Sequence, residues 1–253
     1  MAARPALRLC PPWSSFWSSW SHLAAGGVSG VIGTGSSLLL LPVLVHAYGP
    51  KEAIPIMAVA AVLGNLSRLL VWRREIDWRA ALAFALAGMP AAALGARTML
   101  ALPAWMVDLG LGVFFWAMIP GRRVLHAGGY RLSLTHLALC GAAIGFLTGL
   151  VLSTGPLSVP VFMSYGLAGG AFLGTEAASS VLVYLAKVAT FALQGALTPA
   201  IALQGLLTGA GIMAGTALSK RFVLALGPRA HLLLLDGLLL VAGALFFWLA
   251  VFR

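Results

Sequence analysis

The chain has 253 residues, of which 61% are hydrophobic and only 9% are charged, and its formal net charge is +10. So few charges in such long apolar stretches exclude a soluble globular protein and predict a polytopic helical membrane protein. The basic residues are scattered between apolar segments, as is typical of loops that flank membrane spans. No nucleic-acid partner is therefore predicted.

The first half of the chain opens with an unusually long apolar stretch. From Trp13 to Tyr48, about 35 residues contain no acidic residue, lysine or arginine, although one crossing needs only about 20. We interpret this stretch as two half-helices that meet at Gly33–Ser36, either as a hairpin or as one interrupted span. A turn at Pro50–Glu52 follows, and then three helices are predicted at about 53–72, 80–100 and 104–120.

The second half repeats this plan at an offset of about 120 residues, as from Gly35 to Gly155. Residues 133–167 form another long apolar stretch with a break at Ser153–Pro156. Helices are predicted at about 171–194, 199–219 and 231–252. The predicted fold is therefore all-α, with two pseudo-symmetric repeats that each contain a glycine-broken helix pair and three transmembrane helices. The segments are a basic N-terminal segment (1–12), the first transmembrane repeat (13–120), an inter-repeat linker (121–132) and the second transmembrane repeat (133–253).

Each long apolar stretch carries the same motif. Gly26–Pro42 and Gly145–Pro160 both contain Thr-Gly, then a mostly apolar run, then Pro-Val. Glycine inside a helix costs roughly 1 kcal/mol relative to alanine. In a membrane, a common reason to accept that cost is a broken helix whose freed backbone groups line a polar cavity. The alternative is that the glycines only allow helices to pack closely.

The basic loops predict how the repeats are oriented. In the first half the charges follow the first long helix, as Arg73 and Arg74. In the second half the equivalent loop at 194–199 is uncharged, and the charges follow the next helix, as Lys220 and Arg221. If basic loops face the cytoplasm, the two repeats are inserted in opposite orientations.

Two basic residues, Arg68 and Lys187, lie inside predicted spans, at equivalent places behind Pro42 and Pro160. Ionisable residues inside spans are costly and indicate function, although Arg68 is close enough to Trp72 to extend to the interface instead. Two such cations near half-helix N-termini predict an anion-binding site. The candidate substrate-binding residues are Gly33, Thr34, Gly35, Ser36, Asn65, Arg68, Ser153, Thr154, Gly155 and Lys187.

The few acidic residues in the spans have other roles. Glu176 shares a helix face with Lys187 but lies about 16 Å away along the axis, too far for a direct pair. We consider Glu176 either a proton-coupling carboxylate or an interfacial residue near a span end. Asp108 and Asp236 lie close to helix starts, where a carboxylate complements the helix dipole. Lys187 has no acidic neighbour in sequence, so we expect its partner to be a substrate anion.

The two glycine-to-proline motifs resemble the sulfite exporter TauE/SafE family, whose members begin each repeat with a glycine-rich turn, an apolar run and a proline. Hydroxyl residues replace part of that family's triple glycine here, in Gly33–Ser37 and Ser153–Pro156. We expect these hydroxyls to bind oxyanion oxygens. The resemblance covers about residues 20–245 and also includes Ile76–Arg79, the Gly88 to Gly95 span, Lys187, Gly195, Gly209 to Gly215 and Lys220-Arg221.

The resemblance implies a multi-pass permease of the bacterial inner membrane. Such a permease exports or takes up sulfite, sulfonates or small carboxylates and is driven by an ion gradient. Its partners are a small anionic substrate and the lipid bilayer, and a homo-oligomer is compatible with the pattern. A passive anion channel or pore is an alternative, because re-entrant breaks alone would suit it. An intramembrane enzyme is a weaker alternative, because the sequence contains no catalytic constellation and no metal-ligand spacing. No cofactor is predicted.

Overall fold

The computed structural model describes residue 41 and residues 44–127, 131–151, 155–224 and 228–252. These residues contain helices and no strands, which confirms the all-α prediction. Residues 44–48 are helical, whereas the predicted break at Gly33–Ser36 lies outside the described residues. The helices that follow are α1 Pro50–Val71, α2 Trp78–Ala101, α3 Ala104–Ala127, α4 Leu134–Leu150, α5 Gly155–Tyr165, α6 Gly169–Leu193, α7 Pro199–Leu224 and α8 Pro228–Phe252.

Several helix boundaries differ from the sequence prediction, and three of them change the place of residues that the prediction assigned to a turn, a linker or a loop. Pro50 begins α1 instead of forming a turn, because proline is well tolerated in the first helical turn, where its missing N–H has no partner to lose. Helix α3 continues to Ala127, into the predicted linker at 121–132. Helix α7 continues to Leu224 and includes Lys220 and Arg221. Basic residues are favourable in the last turns of a helix because they complement the negative end of its dipole.

Among the described residues, four helices are long and apolar enough to cross a membrane by length and composition. They are α1, α2, the first 18 residues of α3, and α6, while α4 and parts of α7 and α8 are shorter apolar helices. Large apolar side chains on several of these helices are exposed, including Leu70, Leu86, Leu94 and Leu193. An apolar outer surface of this kind fits a lipid environment, so the described part of the chain fits a polytopic membrane protein.

Helices α4 and α5 form a hairpin. Helix α4 ends at Leu150 and α5 begins at Gly155, which places the break where the sequence predicts it, at Ser153–Pro156. The backbone N–H of Leu132, just before α4, donates a hydrogen bond of 3.0 Å to the carbonyl oxygen of Ser164 near the end of α5. The chain therefore returns at the end of α5 to the level at which α4 begins.

The hairpin packs against α2 through glycines. A Cβ atom added to Gly145 would lie 2.7 Å from the Cα atom of Gly88, and one added to Gly141 would lie 2.9 Å from the Cα atom of Phe84. At these positions the two backbones touch, so only glycine fits without a shift. The close packing expected from the alternative interpretation of the glycines therefore exists, in addition to the break.

We expect Gly145→Ala to destabilise the protein by about 1–3 kcal/mol, the usual cost of overpacking, because the new methyl group meets the backbone of α2. Gly110→Ala is the matched control, since a Cβ atom there meets no described atom within 4 Å. The control gains helix propensity and no clash. Thermal unfolding in detergent measures both variants, and equal stability of the two would contradict the tight contact between α2 and α4.

Helices α1 and α6 are antiparallel and meet near the loop that follows α1. A Cβ atom added to Gly174 near the start of α6 would lie 2.9 Å from the carbonyl oxygen of Trp72. The backbone N–H of Asp77 donates a hydrogen bond of 2.9 Å to the hydroxyl of Thr175. The C-terminal end of α1 is therefore fixed beside the first third of α6.

Helices α1 and α7 are parallel. Gly205 packs against Ile56, and Gly209, one turn later, packs against Leu63. The ends of α1 and α7, where the two basic segments predicted from the sequence occur, therefore lie at the same end of the bundle. We call this the basic end. That both basic segments face the cytoplasm stays a prediction.

Candidate functional site

Lys187 is the most deeply buried cation in the described part of the chain, with no exposed surface. Its Nζ donates hydrogen bonds to the carbonyl oxygens of Thr148, at 2.5 Å, and Val151, at 2.7 Å. Nζ also lies 5.6 Å from the centre of the Phe191 ring. Thr148 is in the last turn of α4 and Val151 follows it, so the ammonium group sits at the tip of the α4–α5 hairpin.

The contacts of Lys187 have a clear physical reason. The last four carbonyl groups of a helix have no partner within it, and they form the negative end of the helix dipole. An ammonium group carries three N–H donors and one positive charge. At the end of α4 it therefore supplies hydrogen bonds to unpaired carbonyl groups and compensates the negative end of the dipole. The sequence led us to expect a helix N-terminus and a substrate anion beside Lys187. The described partners are instead two backbone carbonyls at a helix C-terminus, where a cation is favourable without any anion.

The other side of the break is the N-terminus of α5. Gly155 is the first residue of α5, and its carbonyl oxygen lies 2.9 Å from the hydroxyl of Ser158. Ser153 and Thr154, the other candidate residues of this break, lie outside the described residues, as do Gly33, Thr34, Gly35 and Ser36 of the first motif. The described part of the site therefore consists of the end of α4, the start of α5 and the side chain of Lys187.

Arg68 forms an ion pair with Glu176. Nη2 of Arg68, near the end of α1, lies 3.1 Å from Oε2 of Glu176 on α6, and the two side chains are 20% and 4% exposed. Asn65, one turn earlier on α1, accepts a hydrogen bond from the same Nη2 and donates one of 2.8 Å to the carbonyl oxygen of Ala61. Asn65 therefore holds the guanidinium group in place, and both ends of its amide are engaged.

Glu176 is the centre of a buried polar network. Its Oε1 accepts a hydrogen bond of 2.9 Å from Ser180 and lies 3.3 Å from the hydroxyl of Ser158 on α5. Its Oε2 faces Nη2 of Arg68 in the ion pair and has no hydrogen-bond donor among the described residues. Glu176 is therefore buried within the bundle, and its depth in the membrane and its part in proton coupling stay predictions. The antiparallel packing of α1 and α6 brings Glu176 into the interior beside a cation.

The two candidate cations hold different partners. Glu176 and Lys187 are separated by 11 residues along α6, which corresponds to about 16 Å. Because Arg68 pairs with Glu176 and Lys187 binds the end of α4, the described structure does not bring the two cations to one point. Beyond Lys187 on α6, Thr190 is buried, whereas Gln194 at the helix end is exposed.

Three of the groups that build this region were not predicted. Ser158 is a polar residue in an otherwise apolar helix, a signal that was visible in the sequence. The carbonyls of Thr148 and Val151 have no sequence signal, because every residue has such a group.

Asp108 lies in the second turn of α3, as expected for a carboxylate near a helix start, but its complete burial was not anticipated.

One of the comparisons with known proteins identifies a family. The family model described as "Sulfite exporter TauE/SafE" matches residues 21–246, a range that includes Arg68, Glu176, Lys187 and the α4–α5 hairpin. Neither the curated proteins nor the solved structures gave a match. Since the family model spans most of the sequence, this chain belongs to the sulfite exporter TauE/SafE family, a family of membrane transporters and not of enzymes.

Proposed function

We propose that this protein is a secondary transporter of small anions, such as sulfite, sulfonates or small carboxylates, in the bacterial inner membrane. One observation carries the anion class. A fully buried ammonium group, that of Lys187, lies at the tip of a broken helical hairpin. A transporter for cations would gain nothing from a buried positive charge at its break, because like charges repel in a low-dielectric interior.

We place the substrate at the break, on the side of the α5 N-terminus. Helix N-termini bind anions because their first N–H groups have no partner in the helix and form the positive end of its dipole. Lys187 neutralises the opposite, negative end of α4, which would otherwise repel an anion from the break. Gly155 lets a substrate approach the backbone closely, and the hydroxyls of Ser153 and Thr154 are proposed to bind its oxygens.

We propose that the basic end of the bundle guides anions toward this site. Arg73, Arg74 and Arg79 are exposed in and just after the loop behind α1. Clustered charges of one sign raise the local concentration of the opposite ion and the rate of its association. Arg68, which is partly buried, lies next to these exposed arginines. Lys187 lies farther from the basic end, about 16 Å beyond Glu176 along α6.

Uptake of labelled sulfite into proteoliposomes tests this function. We expect uptake that saturates with sulfite concentration and that is accelerated by a pH gradient, because a secondary transporter binds its substrate and couples it to an ion. Liposomes without protein provide the background. Uptake that rises in proportion to concentration and ignores the gradient would favour a passive channel, and no uptake above background would contradict the proposed substrate.

A further inference from the structure

We propose that Glu176 is an internal anion that closes an oxyanion site at Arg68, and that the transported anion displaces it and thereby brings a proton onto the freed carboxyl group. This inference rests on the proposed function. It adds a second anion site, near the basic end of the bundle, and a physical reason for coupling to a pH gradient.

The geometry at Arg68 is that of an anion site with an anion already in it. A guanidinium group has five N–H donors in a planar fork that matches carboxylates and oxyanions. The described contacts of Arg68, to Asn65 and Glu176, both use Nη2. The side chain is 20% exposed, so Arg68 is not completely enclosed by the described residues.

Glu176 is attached in a way that permits an exchange. Its Oε1 stays hydrogen-bonded to Ser180 on its own helix, and Ser158 from α5 lies nearby. Only Oε2 depends on the guanidinium group, because it accepts no hydrogen bond from any other group among the described residues. A sulfite or sulfonate oxygen that takes the place of Oε2 therefore leaves the carboxylate half satisfied.

The other groups around Glu176 do not replace Arg68 as a countercharge. Tyr184 is buried on the same helix, and Ser158 and Ser180 are neutral. Helix α2 and the loop before it also pack against α6, but their arginines, Arg73, Arg74, Arg79 and Arg97, are exposed. Glu75 and Asp77 of that loop are acidic and supply no countercharge. Lys187 is about 16 Å away along α6 and binds the end of α4.

A buried carboxylate that loses its cation becomes neutral rather than remain charged, because an unpaired charge in a low-dielectric interior is very costly. The displaced Glu176 therefore takes up one proton from the aqueous phase when the anion binds. It releases that proton when the anion leaves and the ion pair with Arg68 forms again. The only bond that forms and breaks is the O–H bond of the Glu176 carboxyl group, and one proton accompanies each anion.

The test compares sulfite binding to the full-length protein and to its Glu176→Gln variant over a range of pH. Glutamine keeps the size and the hydrogen-bonding ability of the side chain but does not compete for Arg68. We expect the variant to bind sulfite about tenfold more tightly at alkaline pH, and the ratio to approach one at acidic pH. Sulfite itself titrates equally in both measurements, so the ratio reports Glu176 alone.

A second measurement has its main result in the parent, so this result does not depend on how well the Glu176→Gln variant folds. Infrared difference spectra on addition of sulfite should show a new protonated carboxyl band, which Glu176→Gln abolishes if that variant folds. The exposed Glu52 supplies the matched control, and Glu52→Gln should keep both the band and the affinity of the parent.

The outcomes separate this inference from the proposed function. Sulfite binding by the parent without a carboxyl band, or with unchanged affinity in a folded Glu176→Gln variant, overturns the role of Glu176 and leaves the proposed function intact. Absence of sulfite binding in the parent, Glu176→Gln and Glu52→Gln overturns the proposed substrate and this inference together.

Discussion

Replacing Arg68 with methionine should destabilise the protein by about 3–5 kcal/mol, the usual cost of removing one partner from a buried ion pair. The reason is the neighbour rather than the arginine. Glu176 is buried, and its Oε2 faces Arg68 in the described structure. Without the guanidinium group, a buried carboxylate remains that must either stay charged without a partner or take up a proton. Thermal or denaturant unfolding in detergent at neutral pH measures the loss.

The double variant Arg68→Met with Glu176→Gln is the decisive control. It removes the stranded charge together with its cation, and we expect it to recover most of the lost stability. Arg73→Met is a matched single variant, because Arg73 is exposed in the following loop, and it should change stability by less than about 0.5 kcal/mol. If Arg68→Met is as harmless as Arg73→Met, the ion pair does not stabilise this bundle.

Replacing Lys187 with methionine should reduce anion transport tenfold or more while it changes stability only slightly. Two opposing terms act on stability. Burial of an ammonium group in a span costs about 3 kcal/mol on insertion scales, and methionine avoids that cost. Methionine also leaves the carbonyls of Thr148 and Val151 without their donor, at about 1–3 kcal/mol for each buried group. The net change should therefore be small.

The loss of transport in Lys187→Met has a different physical origin from its change in stability. Without the ammonium group, the negative end of α4 faces the break, and an anion at the N-terminus of α5 meets repulsion instead of a positive charge. A tenfold loss corresponds to about 1.4 kcal/mol of anion binding. Sulfite uptake into proteoliposomes measures it, with unfolding in detergent as the parallel check.

Two further variants define the role of Lys187. Lys51→Met removes an exposed lysine near the start of α1 and should transport like the parent. Lys187→Arg restores the charge but not the geometry, since a planar fork does not fit two carbonyls as a point charge does, and we expect partial activity. Normal transport by Lys187→Met would make Lys187 a structural cap of α4 and place the anion elsewhere.

Local chemistry was enough to predict most of the described fold. Hydropathy located α1, α2, α3, α6, α7 and α8, because a span must be apolar over about 20 residues whatever it packs against. Glycine and proline located the break between α4 and α5, because they weaken or interrupt a helix independently of its surroundings. Helix ends were predicted less well, and α3 and α7 run several residues further than the apolar pattern suggested.

The candidate site was only half predictable. The sequence indicated a functional role for three charged residues, Arg68, Glu176 and Lys187, because they lie in apolar spans, where a charge is costly. The sequence did not predict what they bind. Arg68 and Glu176 are far apart in the chain and meet only because α1 and α6 are antiparallel. The prediction that both cations share one anion remains untested, and the described contacts assign them separate partners.

The amino-acid sequence was enough to predict an all-helical membrane protein with a broken hairpin and with cations inside its spans. These features follow from composition, from helix-breaking residues and from the cost of a charge in lipid, all of which act locally. Which charges are compensated, and by which partners, depends on the tertiary structure. Lys187 contacts the carbonyl end of α4 because the tip of the hairpin lies beside α6. Glu176 contacts Arg68 because α6 runs antiparallel to α1. Such pairings depend on helix direction and register, and these are set by packing between distant segments.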